Sequence, residues 1–578
     1  MNEMSKIKSI KEIFIKLLPL ILILNFFVII FYYLSNTEVK TLRDNLIIIE
    51  PIFLSVNFGL IVIFLILNLK DLKGLFKDIK KPTLVLLLFV LFLGFYVRMY
   101  VAPRTHRVFF DEDIYLAMGK EVLTERKGCL CNYGDYKGCY DCILMKWPNG
   151  YAFTLALSYL FFGVSENTAF NLIVLLSTLS ILLVFLIGYL LSKKENVGLY
   201  AALLFALIPV YIMWSHTTAS EPVFIFFTLL TVFSFIITLK TDTWKAMILA
   251  MSCLAFAPQT RTEGVVLLIL VSAITILLDR KFILKLNQKK FIIPLIMMLI
   301  LITPYLLHIN LASRTETWGE SGERFDFQHL KNNIPTNAWF WIMGYPTIEH
   351  PTLFTIFVLI GLLFNFKKEG KIALALGFWF LMFFLMYSSF YAGSVRFGID
   401  VRYALNDYPP FVLLGGYGLF LIHERIKKFL KKDLAAFFAL TLLIIIYFIV
   451  SFVPSISMPA EKIMEANQAR TYHDFVIKEA SKLDKNCYIL SHTPSIFLVM
   501  GEGSLQTWYG SNTNTMKELF NKTDCVIFDD NFWCNLEPYK SSVCKHMFDA
   551  YNLTTIASIP TIDGANNYTL YMIGNPFK

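Results

Sequence analysis

The 578-residue chain is too apolar for a soluble protein, since 56% of its residues are hydrophobic and 16% are charged. A mean hydropathy of +0.59 indicates a chain whose solvent is largely lipid, and this excludes a soluble globular fold. The net charge of +9 does not indicate a nucleic-acid partner, because the lysines and arginines gather in short segments between apolar ones.

Apolar segments of roughly membrane-spanning length alternate along the chain with polar loops. Lysine and arginine clusters recur in every second loop, which predicts that those loops are cytoplasmic. An odd number of spans then places the N-terminus in the cytoplasm and the C-terminus outside, which would suit an archaeal or bacterial plasma membrane. We predict about 13 transmembrane helices, at residues 17–34, 51–69, 82–102, 166–192, 197–214, 221–239, 245–258, 264–279, 291–308, 351–366, 371–392, 404–423 and 434–453.

The spans divide the chain into three parts. Residues 1–81 hold two N-terminal transmembrane helices, and residues 82–453 form a membrane domain with external loops at 103–165 and 309–350. Residues 454–578 alternate short β-like runs with helical ones, which predicts a small extracytoplasmic α/β domain. Three N-x-[ST] sequons, all in this last part, agree with its export: Asn521, Asn552 and Asn567.

Eight of the nine cysteines lie in segments predicted to be external, and the exception is Cys253. Two alternatives fit the four in the first external loop, which are two disulfides or a four-thiolate zinc site. The CxC spacing is tight for zinc, which favours disulfides. Cys534 with Cys544, and Cys487 with Cys525, are candidates for further pairs. The four loop cysteines are Cys129, Cys131, Cys139 and Cys142.

Three acids, Asp111, Glu112 and Asp113, follow the span at 82–102, which carries Arg98 near its outer end. Cationic and acidic groups are therefore expected to meet at one level of the membrane face, and we interpret this as the start of an active site. The alternative is that the acids cap the helix that follows them. Asp111 and Asp113 could also hold a divalent cation, although two carboxylates make an incomplete site.

Two further turns at the outer face carry polar residues. Arg261 and Glu263 lie between two short spans, where they could form a structural ion pair or take part in a site. His216 and Glu221 lie at another turn, where ordinary interfacial polarity explains them almost as well as a substrate-binding or metal-binding role does.

A last polar group precedes the span at 404–423. Two arginines at the membrane face can bind a phosphate bidentately, and snorkelling to lipid headgroups is the alternative. Together with Arg261, they make an anionic lipid headgroup the most economical common partner. The group consists of Arg396, Asp400, Arg402 and Tyr403.

At this point the chain resembles the GT-C glycosyltransferases, particularly the branch of the protein O-mannosyltransferases and the lipid A aminoarabinose transferase. The residues that carry the resemblance occur in the family's order. They are Phe110-Asp111-Glu112, Gly150-Tyr151 through Phe162-Gly163, Arg261-Thr262-Glu263-Gly264, and Arg402-Tyr403 with Pro409-Pro410. The chain departs from the family in its two additional N-terminal spans and its cysteine-rich insert, and it lacks the WWDYG motif of oligosaccharyltransferases.

The resemblance implies transfer of a sugar, with inversion, from a polyprenyl- or dolichyl-phosphate carrier to a protein, lipid or glycan acceptor on the extracytoplasmic face. Asp111 would be the general base and Glu112 would orient it or the acceptor. Arg261, Arg396, Arg402 and Tyr403 would bind the donor phosphate. Further candidates for the substrate site are Asp113, His216, Glu221, Glu263 and Asp400. A divalent metal could take part, and no other cofactor is expected.

The chain has no GxxxxGK[ST] motif and no GxGxxG motif after a strand, so a cytoplasmic nucleotide donor is disfavoured.

The sequence also allows two functions other than sugar transfer. A polytopic transporter or lipid flippase is the main alternative, in which the same charges would line a pathway through the membrane. A surface protein that displays its α/β tail without catalysis is the third.

Overall fold

A computed structural model of the chain describes residues 21–107, 111–283, 289–315, 325–343, 350–395, 400–452, 470–483, 486–561, 564 and 566–577. The membrane part is a bundle of helices whose side chains are apolar on nearly every face, because each helix packs on others or contacts lipid. In chain order its helices are α1 (Ile21–Asn36), α2 (Val39–Leu67), α3 (Leu69–Phe76), α4 (Lys81–Tyr96), α5 (Asp111–Thr124), α6 (Gly150–Phe162), α7 (Glu166–Ser192), α8 (Glu195–Ala206), α9 (Pro209–Trp214), α10 (Glu221–Thr241), α11 (Trp244–Phe256), α12 (Leu267–Leu278), α13 (Arg280–Ile283), α14 (Lys289–Thr315), α15 (Phe327–Met343), α16 (Thr352–Lys368), α17 (Gly370–Ser388), α18 (Tyr408–Leu430) and α19 (Asp433–Phe452).

Seven helices within the described residues are long and apolar enough to cross a membrane. The polytopic helical fold class is therefore confirmed. Most predicted spans coincide with helices of the bundle, whereas the span at 197–214 divides into α8 and α9 and the span at 404–423 begins in a 3₁₀ turn. Several of those helices are shorter than a bilayer requires, among them α8 and α11. The count of 13 spans stays a prediction.

The bundle helices break at the positions where the polar residues lie. Proline starts α9 at Pro209 and occupies the first turns of α10 and α18, where a missing N–H costs no hydrogen bond. Short 3₁₀ turns form further breaks, at Ala257–Gln259 and Thr262–Val266 between α11 and α12 and at Asp400–Asp407 before α18. These breaks lie beside one another at one end of the bundle, where the polar side chains can meet.

Arg98 does not join the acids that follow its span, so that prediction was wrong. The Arg98 side chain is fully buried in a π-helical turn, Val97–Val101. It donates to the carbonyl oxygens of Gly94 (3.0 Å), Ala206 (2.9 Å) and Phe205 (3.2 Å). Arg98 therefore satisfies carbonyls that the end of α8 leaves without helical partners.

The remaining part is a seven-stranded mixed sheet of order β2-β1-β4-β3-β5-β7-β6. β3 is parallel to both β4 and β5, and every other pair is antiparallel. The strands are β1 (Leu130–Asp135), β2 (Gly138–Ile143), β3 (Tyr488–Ser491), β4 (Gly503–Gln506), β5 (Val526–Asp530), β6 (Leu553–Pro560) and β7 (Asn567–Ile573). The helices of this part are α20 (Arg470–Ala480), α21 (Pro494–Met500), α22 (Thr513–Lys522) and α23 (Lys545–Ala550).

The hairpin β1–β2 comes from the loop predicted at 103–165, yet it extends the sheet of the C-terminal part. Tyr133 of β1 pairs with Leu505 of β4. The apolar side chains of the sheet alternate between two cores, as the period of two requires. One core holds Ile489 with α20 and α21, and the other holds Leu490 with α22.

α21 also connects the sheet to the bundle. Its Val499 packs against the bundle core, and Lys120 of α5 donates from Nζ to the carbonyl oxygen of Leu498. The sheet face that carries α21 is therefore turned toward the bundle, and the face that carries α22 is turned away from it.

All eight cysteines predicted to be external are paired as disulfides. In the hairpin, Cys129 is bonded to Cys142 and Cys131 to Cys139, in place of a zinc site. The other two bonds, Cys487–Cys525 and Cys534–Cys544, are the further pairs considered from the sequence.

Candidate active site

The three acids Asp111, Glu112 and Asp113 form the first turn of α5. This is the capping position, where the positive end of the helix dipole favours negative charge. Capping does not account for the three carboxylates, however, because each one contacts charged side chains outside the helix.

Asp111 is the most accessible of the three acids, with 24% of its side chain exposed. Its Oδ2 lies 3.5 Å from Nη2 of Arg107 and 3.7 Å from Nη1 of Arg402. Although burial opposes ionisation, the Arg107 and Arg402 guanidiniums hold the pKa of Asp111 far below its usual value. Asp111 is therefore an ionised carboxylate with one side open.

Glu112 is fully buried and connects two loops. Its Oε1 accepts a hydrogen bond of 2.6 Å from Nε of Arg107. Its Oε2 accepts from the Thr218 hydroxyl at 2.8 Å and from the Thr218 backbone N–H at 3.2 Å. Since these donors occupy both of its oxygens, Glu112 fixes Arg107 beside Asp111.

Asp113 belongs to a separate buried cluster with a histidine. Nε2 of His106 lies 2.9 Å from Asp113 Oδ1, and Nδ1 lies 2.7 Å from Glu166 Oε1. Burial disfavours the imidazolium, but the two carboxylates outweigh it and raise the pKa of His106 to about 10. The charged ring therefore joins the start of α5 to the start of α7.

The second half of the site is built around Glu221, which is 1% exposed. Its Oε1 lies 2.7 Å from Nη1 of Arg261 and 3.4 Å from Nε of Arg402. Arg261 also donates to Glu263 Oε1 at 2.6 Å from Nη2 and to the Ser220 hydroxyl at 3.0 Å. The ion pair of Arg261 with Glu263, the simpler reading of this turn, is present and extends to Glu221.

Arg402 lies between the two halves, with ring faces beside it. Its Cζ is 5.3 Å from the ring centroid of Tyr403 and 5.7 Å from that of Trp214. Tyr403 stacks on Tyr387 with centroids 5.0 Å apart, and Asn406 donates to the Tyr387 hydroxyl at 2.6 Å. Apolar faces lower the local dielectric, which strengthens the charge interactions of Arg402.

Not every predicted site residue joins this cluster. His216 lies behind it, with Nδ1 3.1 Å from the carbonyl oxygen of Ala102 and Nε2 3.5 Å from Nε of Arg104. Arg396, predicted to bind the donor phosphate, lies outside the described residues, as does the side chain of Asp400. The structure thus brings together Asp111, Glu112, Glu221, Arg261, Glu263, Arg402 and Tyr403.

Arg107 is the main site residue that was not anticipated. A positive charge just before the three acids in the sequence could have indicated Arg107, but Arg98 was taken as their cationic partner instead. Trp214 and Thr218 were not anticipated either, because an indole and a hydroxyl at a membrane face have many ordinary roles.

The contacts of Asp111 and Asp113 do not fit a shared divalent cation. Asp111 faces two guanidiniums and Asp113 faces a histidine whose pKa is raised, so the two carboxylates are already neutralised by different cations. A metal ion between them would be repelled by these charges.

The fold and the site together define a class of protein. It is a polytopic helical membrane protein with a small α/β part at one end, and three guanidiniums and four carboxylates meet at that end of the bundle. Such a site can hold an ionised base beside a group that binds phosphate.

Comparison with known proteins agrees with this class. The sequence model of the dolichyl-phosphate-mannose-protein mannosyltransferase family matches residues 146–308. No curated protein sequence is significantly similar to the chain. The structure of ArnT from Cupriavidus metallidurans bound to undecaprenyl phosphate superposes with a TM-score of 0.55 at 13% identity, covering 86% of this chain and 99% of ArnT.

The apo structure of the same ArnT gives a TM-score of 0.52 at 14% identity, covering 85% and 97% of the two chains. The oligosaccharyltransferase AglB from Archaeoglobus fulgidus, in complex with an inhibitory peptide and a dolichol-phosphate, gives 0.48 at 12% identity, covering 87% and 75%. The two ArnT superpositions confirm the expected fold, which this chain shares with ArnT over 86% of its own length and 99% of that of ArnT.

Proposed function

We propose that the chain is a membrane glycosyltransferase that moves a sugar from a polyprenyl- or dolichyl-phosphate carrier to an acceptor hydroxyl on the extracytoplasmic face. The observation that carries this proposal is the position of Arg402 between Asp111 and Glu221. It puts a guanidinium directly beside Asp111, which at 24% is the most exposed carboxylate of the cluster. The mannosyltransferase family match over residues 146–308 supports the same reading.

Asp111 acts as the general base. It takes the proton of the acceptor hydroxyl as the acceptor oxygen bonds to the anomeric carbon from the side opposite the phosphate, so the sugar inverts. The bond between that carbon and the phosphate oxygen breaks, and the lipid phosphate leaves with one more negative charge. A guanidinium that already touches the phosphate stabilises this charge as it forms.

Donor binding is also expected to raise the pKa of Asp111. Without donor, Arg107 and Arg402 keep the pKa of Asp111 so low that its affinity for a proton is weak. A bound donor phosphate takes up guanidinium donors of Arg402, which can bind it bidentately, and adds a negative charge beside Asp111. The pKa of Asp111 then rises, and the carboxylate becomes a better base only when donor is present.

The remaining cluster residues hold these two groups in place. Glu112 orients Arg107 through its 2.6 Å hydrogen bond. Arg261 is the weaker candidate for contact with phosphate, since its donors go to Glu221, Glu263 and Ser220. We assign it to holding Glu221, which in turn positions Arg402.

The direct test is Asp111→Asn, assayed in membranes supplied with a radiolabelled polyprenyl-phosphate sugar. Transfer should be abolished while the variant is still expressed and inserted into the membrane. The matched control is Asp44→Asn, because Asp44 is an exposed aspartate on α2 that pairs with the neighbouring Arg43, away from the site. Full transfer by the Asp111 variant would refute the assignment of the base.

A further inference from the structure

The sheet carries a group of aromatic side chains on the face that is turned away from the bundle. We call it the aromatic platform and define it by Tyr133, Tyr140, Trp508 and Tyr509. The Tyr133 ring centroid lies 5.2 Å from that of Tyr140 and 5.8 Å from that of Tyr509, and Trp508 follows at 6.1 Å from Tyr509. The residues come from both the hairpin and the C-terminal part, so the platform exists only once the two have joined.

The platform is accessible at both ends. Tyr140 is 51% exposed and Trp508 is 43% exposed, whereas Tyr133 and Tyr509 between them are half-buried. Contact with a lipid surface does not explain this exposure, because Tyr133 and Tyr509 belong to the core that holds α22, and the opposite face of the sheet carries α21 and packs on the bundle. The exposed rings therefore face solvent.

Two carboxylates orient the tyrosine rings through hydrogen bonds to their hydroxyls. Asp135 Oδ2 accepts from the hydroxyls of Tyr140 (2.8 Å) and Tyr488 (2.6 Å), and Asp141 Oδ2 accepts from the Tyr509 hydroxyl (2.7 Å). These bonds fix the ring orientations before any ligand arrives, which lowers the entropic cost of binding. A carboxylate has about four lone-pair sites, so each acid can still accept from a ligand hydroxyl.

Lys522 narrows the choice of ligand. Its Nζ lies 5.3 Å from the Tyr140 ring centroid and 5.7 Å from the Tyr133 centroid, and it donates to the Tyr133 hydroxyl at 3.3 Å. Lys522 thus fills the position in which a cationic ligand would stack on the rings. The two aspartates disfavour anionic ligands such as phosphates. A neutral ligand with apolar faces and many hydroxyls fits the rings, the acids and the lysine together.

We propose that the aromatic platform is a carbohydrate-binding surface, separate from the transfer site. The C–H faces of sugar rings would pack on Tyr140 and Trp508, because an aromatic ring presents an electron-rich apolar face. The sugar hydroxyls would donate to Asp135 and Asp141. A surface of this kind would hold a glycan near the protein whether or not that glycan accepts the transferred sugar.

The test is saturation-transfer NMR on the full-length protein in phosphatidylcholine nanodiscs, since maltoside detergents carry sugars themselves. The probes are mannotetraose, maltotetraose and chitotetraose, without any lipid-linked donor. We expect saturation to pass from the protein to the C–H protons of the sugar rings in at least one probe. Tyr140→Ala and Trp508→Ala should each weaken its binding about tenfold, the change expected from losing one aromatic contact.

Tyr136→Ala is the matched control, because Tyr136 is 61% exposed on the adjoining turn but is not part of the aromatic platform, and this variant should bind as the parent does. Running the series in the Asp111→Asn background separates this proposal from the proposed transfer, since binding must persist there. If none of the probes is saturated, or if both alanine variants bind normally, the platform is not a carbohydrate site. A lysine-rich peptide that binds there in place of every sugar overturns it as well.

Discussion

The Arg402 guanidinium lies 3.7 Å from the Asp111 carboxylate, although the two residues come from opposite ends of the membrane part. This distance is longer than a hydrogen bond, so the pair is an ion contact that a better partner can displace. The proposed mechanism depends on that displacement by the donor phosphate.

Arg402→Ala should mainly weaken donor binding. Loss of a charge-assisted contact worth about 1.5–3 kcal/mol corresponds to an increase of roughly 10- to 100-fold in the KM for the lipid-linked donor. Arg402→Lys should recover part of it, because a lysine keeps the charge but cannot bind bidentately. Initial rates measured against donor concentration give the KM of each variant. The control is Arg43→Ala, which replaces an exposed arginine on α2. A normal KM in Arg402→Ala would show that Arg402 does not bind the donor phosphate.

His106 should make stability depend on pH in the alkaline range. Its pKa is raised in the folded protein, to about 10, while the pKa of an unfolded histidine is about 6.5. The stabilisation from its contacts with Asp113 and Glu166 is therefore complete below about pH 6.5 and is lost as pH rises toward 10. The melting temperature of the wild type should fall between pH 6 and pH 10 by more than that of His106→Gln. Equal falls in the two proteins would show that His106 is not charged in the fold.

The hairpin cysteines should be found as two disulfides. Peptide mapping without reduction should recover Cys129 linked to Cys142 and Cys131 linked to Cys139. Replacing Cys129 and Cys142 together by serine should lower the free energy of unfolding of the α/β part by about 2–4 kcal/mol, because the loop gains freedom when unfolded. Four alkylatable thiols with stoichiometric bound zinc would instead establish the metal site.

Gly150→Ala should disturb the site from a distance. A Cβ at this position would lie 2.4 Å from the carbonyl oxygen of Gln259 and 2.9 Å from the Thr260 nitrogen, which are backbone atoms just before Arg261. We expect overpacking to cost about 1–3 kcal/mol of stability, together with lower transfer activity. The control is Gly377→Ala on α17, where nothing lies within 4 Å of the added carbon and helix propensity slightly favours alanine. Melting temperatures and transfer rates of the two variants should diverge, and equal values would argue against the close contact.

Much of the architecture could be predicted locally. The spans follow from runs of apolar residues, and the prediction for residues 166–192 coincides with α7. The strands around Tyr488 and Val526 were expected from β-branched and aromatic runs. β6 and β7 were not expected, because their alternation is interrupted by polar residues.

The partners of the charged residues could be predicted far less well. The sequence placed cations near acids, but it linked Arg98 with them and overlooked Arg107, since both lie near the end of the same span. Arg98 is directed away from the acids because it lies in the π-helical turn at Val97–Val101 and donates to carbonyl oxygens at the end of α8 that have no helical partner.

The sequence by itself therefore determined the class of protein, the position of the acids after a span and the cysteines available for pairing, because apolar length and residue type are local properties. Only the tertiary structure decided that Arg402 lies between Asp111 and Glu221, and that the hairpin completes the sheet of the C-terminal part. Those contacts join residues far apart in the chain. They are set by how helices and strands pack, where burial forces each charge to find a partner, and no local pattern records that choice.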